Sequence, residues 1–327
     1  MPRIGLVGTG FMAGTHAERY DEIDDAEITA VASLDDVEEF IDEYDLDATA
    51  YTDGMELIAD ADIDAVDICT PTPTHRRFVE AAAEEGLDVF CEKPLANSLA
   101  DARAIGDAVD EAGITCMVGH VLRYFPEYEQ MKRQVDNDVI GAPGVARARR
   151  ISPFPEWSWE QWYADADRSG GVLLDLAIHD LDYLQWVLGA VKQVFARRTS
   201  WDQREHAHVT LRFQSGAVGY VDAGWVLPEG AGLSSELELA GKAGLIEYDS
   251  NDTASFDIQS DTDRSVPVGT VEKDGYRREL EEFVECITTG ATPSVTVQDG
   301  IEAVQLSLAA IESAETGMPV SLEEVRA

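Results

Sequence analysis

Asp175 and His179 stand four residues apart in the run Gly170-Gly171-Val172-Leu173-Leu174-Asp175-Leu176-Ala177-Ile178-His179-Asp180-Leu181-Asp182. On a helix that spacing puts both side chains on one face. A carboxylate that orients an imidazole suits proton transfer. Apolar neighbours at Leu173, Leu174, Leu176, Ile178 and Leu181 desolvate the pair, and desolvation and the carboxylate push the imidazole pKa in opposite directions. The glycine pair is a poor helix former but lets another chain or a flat ligand come close. A half-buried structural His-Asp contact fits the same residues, so this motif alone leaves both readings open. A second reactive group is Lys93, at the end of Val89-Phe90-Cys91-Glu92-Lys93-Pro94. A lysine just past the carboxyl end of a parallel strand lies where doubly wound sheets bind ligands. There it could orient and acidify a substrate hydroxyl, with Glu92 positioning it; a plain salt bridge is the alternative.

The elements that must position these groups begin at the amino terminus. Arg3-Ile4-Gly5-Leu6-Val7 is an apolar strand, and it runs into Gly8-Thr9-Gly10-Phe11-Met12-Ala13 and then a helical pattern. G-x-G-x-x-A in that context is the dinucleotide-binding fingerprint. Gly8 permits the tight turn, Gly10 lets the backbone approach a diphosphate, and Ala13 lets the helix pack on its strand. The diphosphate then sits on the helix N-terminus. The acidic residue expected about 20 positions later is Ser33, followed by Leu34-Asp35-Asp36. A ribose clamp is therefore weakened, while two carboxylates and the lack of a neighbouring base disfavour a 2'-phosphate. NAD is expected to be preferred to NADP.

Through residue 119 short β runs near 3–7, 28–32, 65–69, 88–91 and 115–119 alternate with helices such as His75 to Glu85 and Leu99 to Ala112. That alternation predicts a doubly wound parallel sheet of Rossmann type. After a helix from about Glu127 to Asn137, β runs follow at 145–151, 193–199, 206–213, 217–225, 234–240 and 244–249, interrupted by one helix from Gly170 to Val187. Turns as short as Gln214-Ser215-Gly216 predict a mainly antiparallel sheet. Helices near Tyr276 to Thr289 and Gln298 to Thr316 close the chain. The expected fold is α/β, with a dinucleotide-binding domain over 1–121. An α+β domain for substrate binding and oligomerisation follows over 122–327, with an open sheet. Val209, Leu211, Phe213, Val218, Tyr220 and Val221 suggest that both faces of that sheet need cover, one of them from a partner subunit.

With 64 Asp+Glu against 24 Lys+Arg, the formal net charge of -40 makes nucleic acid and anionic membranes poor partners. The acids are dispersed, and 45% of residues are hydrophobic, which indicates a folded core under an acidic shell. Self-repulsion of that size is relieved by screening, so adaptation to a salty cytoplasm is expected. Cys69, Cys91, Cys116 and Cys286 lack C-x-x-C spacing and are expected as free thiols, and no metal site is expected. No signal peptide, membrane-spanning stretch or lipidation signal is read, so a cytoplasmic protein is expected.

Taken together, the G-x-G-x-x-A turn, Thr70-Pro71-Thr72-Pro73-Thr74-His75, Glu92-Lys93-Pro94, Val118-Gly119-His120-Val121-Leu122-Arg123-Tyr124, the Gly-Gly helix with Asp175 and His179, and Pro293 before the last helix resemble the glucose-fructose oxidoreductase, inositol dehydrogenase and MocA (Gfo/Idh/MocA) family over nearly the whole chain. The resemblance implies hydride transfer between a nicotinamide and a hydroxyl-bearing carbon of a sugar, sugar acid or cyclitol. It implies His179 as general base, Asp175 orienting it and touching substrate, and Lys93 hydrogen-bonding the same oxygen. Gly8, Gly10, Phe11, Met12, Ala13, Ser33, Thr70, Pro71, His75, Glu92 and Lys93 would line the cofactor, although His75 could equally be a helix-start residue. His120, standing where many relatives carry an aromatic residue, would reach substrate or cofactor or be a satisfied structural histidine, the last being favoured, and Arg123 and Trp162 would face the substrate. Trp157, Trp159, Trp162 and Tyr163 would stack on a sugar, form a lid or make a subunit contact. Arg123, Arg149 and Arg150 are candidates for an acidic substrate group, with pairing to the acidic surface the favoured reading for Arg149 and Arg150. A homodimer or homotetramer is expected. Two other readings of the same fold remain: a redox-assisted hydrolase or lyase that retains NAD, and a non-catalytic nucleotide sensor.

Overall fold

The computed structural model describes residues 1–156, 159–251, 257–260, 264–265 and 273–322. The chain opens with β1 (Arg3–Val7), α1 (Phe11–Tyr20), β2 (Glu27–Ala32), α2 (Val37–Glu43), β3 (Thr49–Tyr51), α3 (Gly54–Asp60), β4 (Ala65–Ile68), α4 (His75–Glu85), β5 (Asp88–Cys91), α5 (Leu99–Ala112) and β6 (Cys116–Val118). Its six strands lie in the order β3-β2-β1-β4-β5-β6, each pairing parallel. This is the expected doubly wound sheet, with Ile4, Leu6, Val66, Ile68, Val89 and Phe90 fully buried on it. Local chemistry sets the helix ends. Asp36, Asp53 and Ser98 accept from the first-turn N–H groups of α2, α3 and α5, and Gly86 and Gly113 end α4 and α5 in the left-handed region.

There follow α6 (Pro126–Asp136), β7 (Pro143–Ser152), α7 (Ala166–Ser169), α8 (Gly171–Asp175), α9 (Ala177–Leu188), β8 (Val191–Trp201), β9 (Arg204–Phe213), β10 (Val218–Trp225), β11 (Ser234–Gly241), β12 (Gly244–Asp249), β13 (Asp257–Ser260), β14 (Arg264–Ser265), α10 (Gly275–Thr289), α11 (Val297–Thr316) and β15 (Val320–Ser321). The second sheet has the order β14-β13-β12-β11-β7-β10-β9-β8-β15. Its pairings are antiparallel except for β7 with β10, so it is mixed and mainly antiparallel.

Two compact units result: Met1–Tyr124 with Ser158–Trp162 and Lys273–Val304, and Phe125–Trp157 with Tyr163–Glu272 and Gln305–Ala327. In the first unit α10 lies on α1, where Arg19 Nε donates to Asp274 at 2.8 Å and Arg277 Nη1 to Glu22 at 3.0 Å, and Phe283 meets Phe90 edge to face.

Two local expectations are corrected. The helix read from Gly170 to Val187 is divided at Leu176 into α8 and α9, although Leu176 stays in the right-handed region at φ -96° and ψ -49° and its N–H still donates to the Val172 oxygen at 3.1 Å. In the second sheet, Val209, Leu211, Phe213 and Val221 are all buried on one face. Tyr220 is exposed on the other, which carries Arg147 paired with Glu238 and Arg149 paired with Glu236. The period of two along each strand sorts these residues, so the open face is largely polar.

Candidate active site

In the first unit the glycine turn is shaped by close approach. Gly8 has φ +114°, and a Cβ there would stand 2.3 Å from the Cys69 carbonyl oxygen at the end of β4. A Cβ on Gly10 would meet nothing within 4 Å, so the turn is open on the side of the α1 N-terminus. No side chain caps that helix, and its first turn carries no acid. The N–H groups of that first turn and the room before them fit a diphosphate. Ala13 is buried against the sheet, while Phe11 is exposed and Met12 half-buried.

Ser33 closes the end of β2: its Oγ accepts from Thr9 Oγ1 at 2.9 Å and from the Asp35 N–H at 3.2 Å. Asp36 is occupied as the cap of α2, and Leu34 is 77% exposed. Thr70 and Pro71 follow β4, with the Thr70 hydroxyl accepting from Thr74 at 2.7 Å. His75 is buried at the start of α4, and its ring bridges two backbone turns, Nδ1 lying 3.0 Å from the Pro94 oxygen and Nε2 2.8 Å from the Thr70 oxygen. Burial lowers its pKa from the ordinary histidine value, against the opposing pull of those carbonyls. Its polar atoms clip the Thr70-Pro71 turn to the Lys93-Pro94 turn, which contains a cis peptide bond.

Lys93 is half-buried just beyond β5, and its N–H donates to Glu92 Oε2 at 2.9 Å. Beneath it lies a polar network that sequence reasoning missed. His16 on α1 is fully buried; its Nδ1 is 2.8 Å from Asp67 and its Nε2 3.3 Å from Glu92. The Cys69 thiol donates to Asp67 at 3.3 Å, and Glu279 on α10 is also fully buried. Burial opposes the His16 charge, but the Asp67 field and hydrogen bond win and raise its pKa well above the ordinary value. Burial likewise opposes the Glu92 charge, yet His16 and then Lys93 hold that carboxyl below its usual range. Glu279 goes the other way: burial, then the Glu92 charge, raise it well above the carboxylate range. The signal for this network was slight, since His16 is one polar residue in a helix and its partners come from three distant segments.

The raised Glu279 pKa has a measurable consequence. Between its unfolded pKa, about 4.3, and its higher folded value, the native state holds a proton that the unfolded chain has lost, so this group's contribution to stability falls as pH rises. E279Q removes that loss. Relative to wild type, its denaturation midpoint should climb steadily from pH 5 to 8; a difference that stays flat across that range contradicts a neutral Glu279.

His120 is buried after β6, and Trp162 is buried on the turn Trp159–Ala164. Arg123 is buried and donates to Asp299 at 3.0 Å, tying the start of α11. Trp157 lies outside the described residues.

In the second unit Asp175 is the buried last residue of α8, and His179 is half-buried in the first turn of α9, one turn further along. The glycine pair makes room for a side chain. Gly171 has φ +64°, and a Cβ there would stand 2.6 Å from Glu205 Oε2, which accepts the Val172 N–H at 2.8 Å. Glu205, on β9, thereby holds the α8 N-terminus and is itself paired with Arg198 at 3.2 Å. Asp180, beside His179, is buried and forms a two-pronged pair with Arg150 of β7 at 2.9 and 3.1 Å. Arg150 also donates to the Tyr128 hydroxyl at 3.0 Å. Arg149 thus pairs with an acid on the surface, as expected, whereas the partner of Arg150 is a buried one.

Residues 2–120 match the NAD-binding Rossmann fold of the Gfo/Idh/MocA oxidoreductase family, and residues 132–322 match that family's C-terminal alpha/beta domain. The chain belongs to the Gfo/Idh/MocA family. It is 33% identical over 340 residues to a myo-inositol 2-dehydrogenase of Thermotoga maritima, covering 99% of each chain. It is 29% identical to an NADP(+)-dependent D-xylose 1-dehydrogenase of Haloferax volcanii, covering 98% of this chain and 99% of the other. A crystal structure of a probable dehydrogenase from Thermotoga maritima superposes with a TM-score of 0.84 at 31% identity over 99% of both chains. Family membership makes the first unit an NAD(P)-binding domain, in keeping with the open glycine turn. Among the described residues no helix is long and apolar enough to cross a membrane.

Proposed function

We propose that the chain is an NAD(P)-dependent dehydrogenase that oxidises a hydroxyl-bearing carbon of a sugar, sugar acid or cyclitol. The observation that carries this reading is the joint presence of Lys93 beyond β5 and the Asp175-His179 pair beside a rigid anchor, in a family whose named relatives oxidise such substrates. Nicotinamide, bound with its diphosphate at the α1 N-terminus, supplies the hydride acceptor. The chain handles the proton. His179 takes it from the substrate hydroxyl, Asp175 holds the imidazole and contacts substrate, and Lys93 hydrogen-bonds the same oxygen as it gains negative charge. His120, Arg123 and Trp162 complete the substrate surroundings, and Thr70, Pro71 and the Glu92-Lys93 turn flank the cofactor. The protein works as a homodimer or homotetramer in the cytoplasm. A screen of aldoses, sugar acids and inositols with NAD and NADP in molar KCl, following the reduced nicotinamide, tests the reading. Turnover of none of them overturns it. Tight cofactor retention without net reduction would instead place the chain with the redox-assisted hydrolases.

The finer reading is a preference for NAD. Ser33 offers the ribose only a neutral hydroxyl already engaged by Thr9 and the Asp35 N–H, while the negative charge of Asp35, two residues on, disfavours a 2'-phosphate. NAD should win by a modest factor in kcat/KM. The exposed Leu34 offers a route to reverse it: L34R adds a charge-assisted phosphate contact and should move the NADP/NAD ratio upward by about tenfold or more, while S33D moves it downward. A wild type that favours NADP, or an L34R enzyme with an unchanged ratio, would refute this account of the loop.

A further inference from the structure

His206 and His208 alternate with buried Ala207 on β9 and so project from the open face of the second sheet, where Asp222 on β10 stands directly opposite His208. His206 Nε2 lies 2.6 Å from Asp222 Oδ1, and His208 Nδ1 lies 3.6 Å from the same oxygen. The two imidazoles meet edge to face with centroids 4.6 Å apart. The seat for His206 depends on a glycine: a Cβ on Gly224, its cross-strand neighbour, would stand 2.7 Å from His206 Cδ2. The His208 side chain is 67% exposed, yet its Nδ1 is turned to the carboxylate. Nothing in the proposed dehydrogenation uses these three residues.

From this cluster we infer a divalent transition-metal site, of the kind that takes Zn²⁺ or Co²⁺, formed by His206, His208 and Asp222. One donor atom from each residue lies within 4.8 Å of the others. Tetrahedral donors at bonds of about 2.0–2.1 Å stand about 3.3 Å apart, so side-chain rotations must open the His206–Asp222 pair from 2.6 Å and draw His208 in from 3.6 Å to complete the set. Two imidazoles and one carboxylate are borderline donors that select zinc-like ions over calcium or magnesium, and the remaining position is open to water. The adjacent cation does not occupy the site: Arg149 Nη1 donates to Glu236 at 2.8 Å, and its Nε stands 3.9 Å from the other Asp222 oxygen. The net charge of -40 raises the local concentration of any divalent ion.

The test uses the full-length, tag-free protein, stripped with chelator and titrated with Zn²⁺ and with Co²⁺ in molar KCl, which screens diffuse binding to the acidic surface. Calorimetry should give one ion per chain, and the Co²⁺ complex should show visible bands without a thiolate charge-transfer band. H208A, at an exposed position, and D222N should each weaken binding tenfold or more while circular dichroism is unchanged. C69S should bind as wild type, which separates this site from the buried His16-Asp67-Cys69 group. Absence of stoichiometric binding by the wild type, equal binding by H208A and D222N, a thiolate band, or loss of binding in C69S would each overturn the inference.

Discussion

His179→Ala and Lys93→Ala should each lower kcat by about two or more orders of magnitude, the usual contribution of a positioned acid, base or oxyanion partner. Cofactor affinity should survive in both, because the diphosphate seat at Gly10 and the α1 N-terminus involves neither side chain. The pH profile separates the two roles. In the oxidation direction wild-type kcat/KM rises with pH, as a general-base step requires, and that rise disappears in H179A. In K93A the rise persists at a reduced rate, since the lysine steadies the oxygen but the imidazole still takes the proton. Near-wild-type turnover in either variant, with folding intact, would remove that residue from the proton path.

What could be read in advance was whatever depends on neighbours in sequence. The fingerprint was legible because Gly8 and Gly10 act through their own backbones, and α4 and α5 lie at His75–Glu85 and Leu99–Ala112 as expected, since their apolar period and terminal glycines are local signals. β3 escaped because three residues cannot display a period of two. The irregularity at Leu176 escaped because it is slight, the residue keeping its helical N–H bond to Val172, and because its neighbours are good helix formers. Residues whose partners lie far along the chain were harder still. Gly171 announced a close approach, but only the fold shows that the visitor is Glu205, 34 positions later. His16 carried no motif, and its importance lies in Asp67, Glu92 and Glu279 converging on it from β4, the end of β5 and α10.

Arg150→Ala should cost about 3–5 kcal/mol of stability, because it leaves Asp180 charged, buried and without its two-pronged partner. Both groups are almost wholly inside, so water cannot replace the lost bonds. Burial disfavours the Arg150 charge, yet the fields of Asp180 and Tyr128 more than offset this and raise its pKa above the ordinary arginine value. The double variant R150M/D180L fills similar volume with apolar atoms and should recover most of the loss, as buried pairs often yield little net stability against hydrophobic replacements. Urea midpoints of the wild type, the single variant and the double variant measure this directly. Function adds a second readout. Asp180 follows His179 in the first turn of α9, so the pair to β7 fixes the orientation of the turn that bears the proposed general base. The recovered double variant should therefore fold well but show a reduced kcat with little change in KM. Were Arg150 instead a partner for an acidic substrate group, R150A would raise KM and barely shift the urea midpoint. That pattern would contradict the buried anchor and return Arg150 to the substrate site.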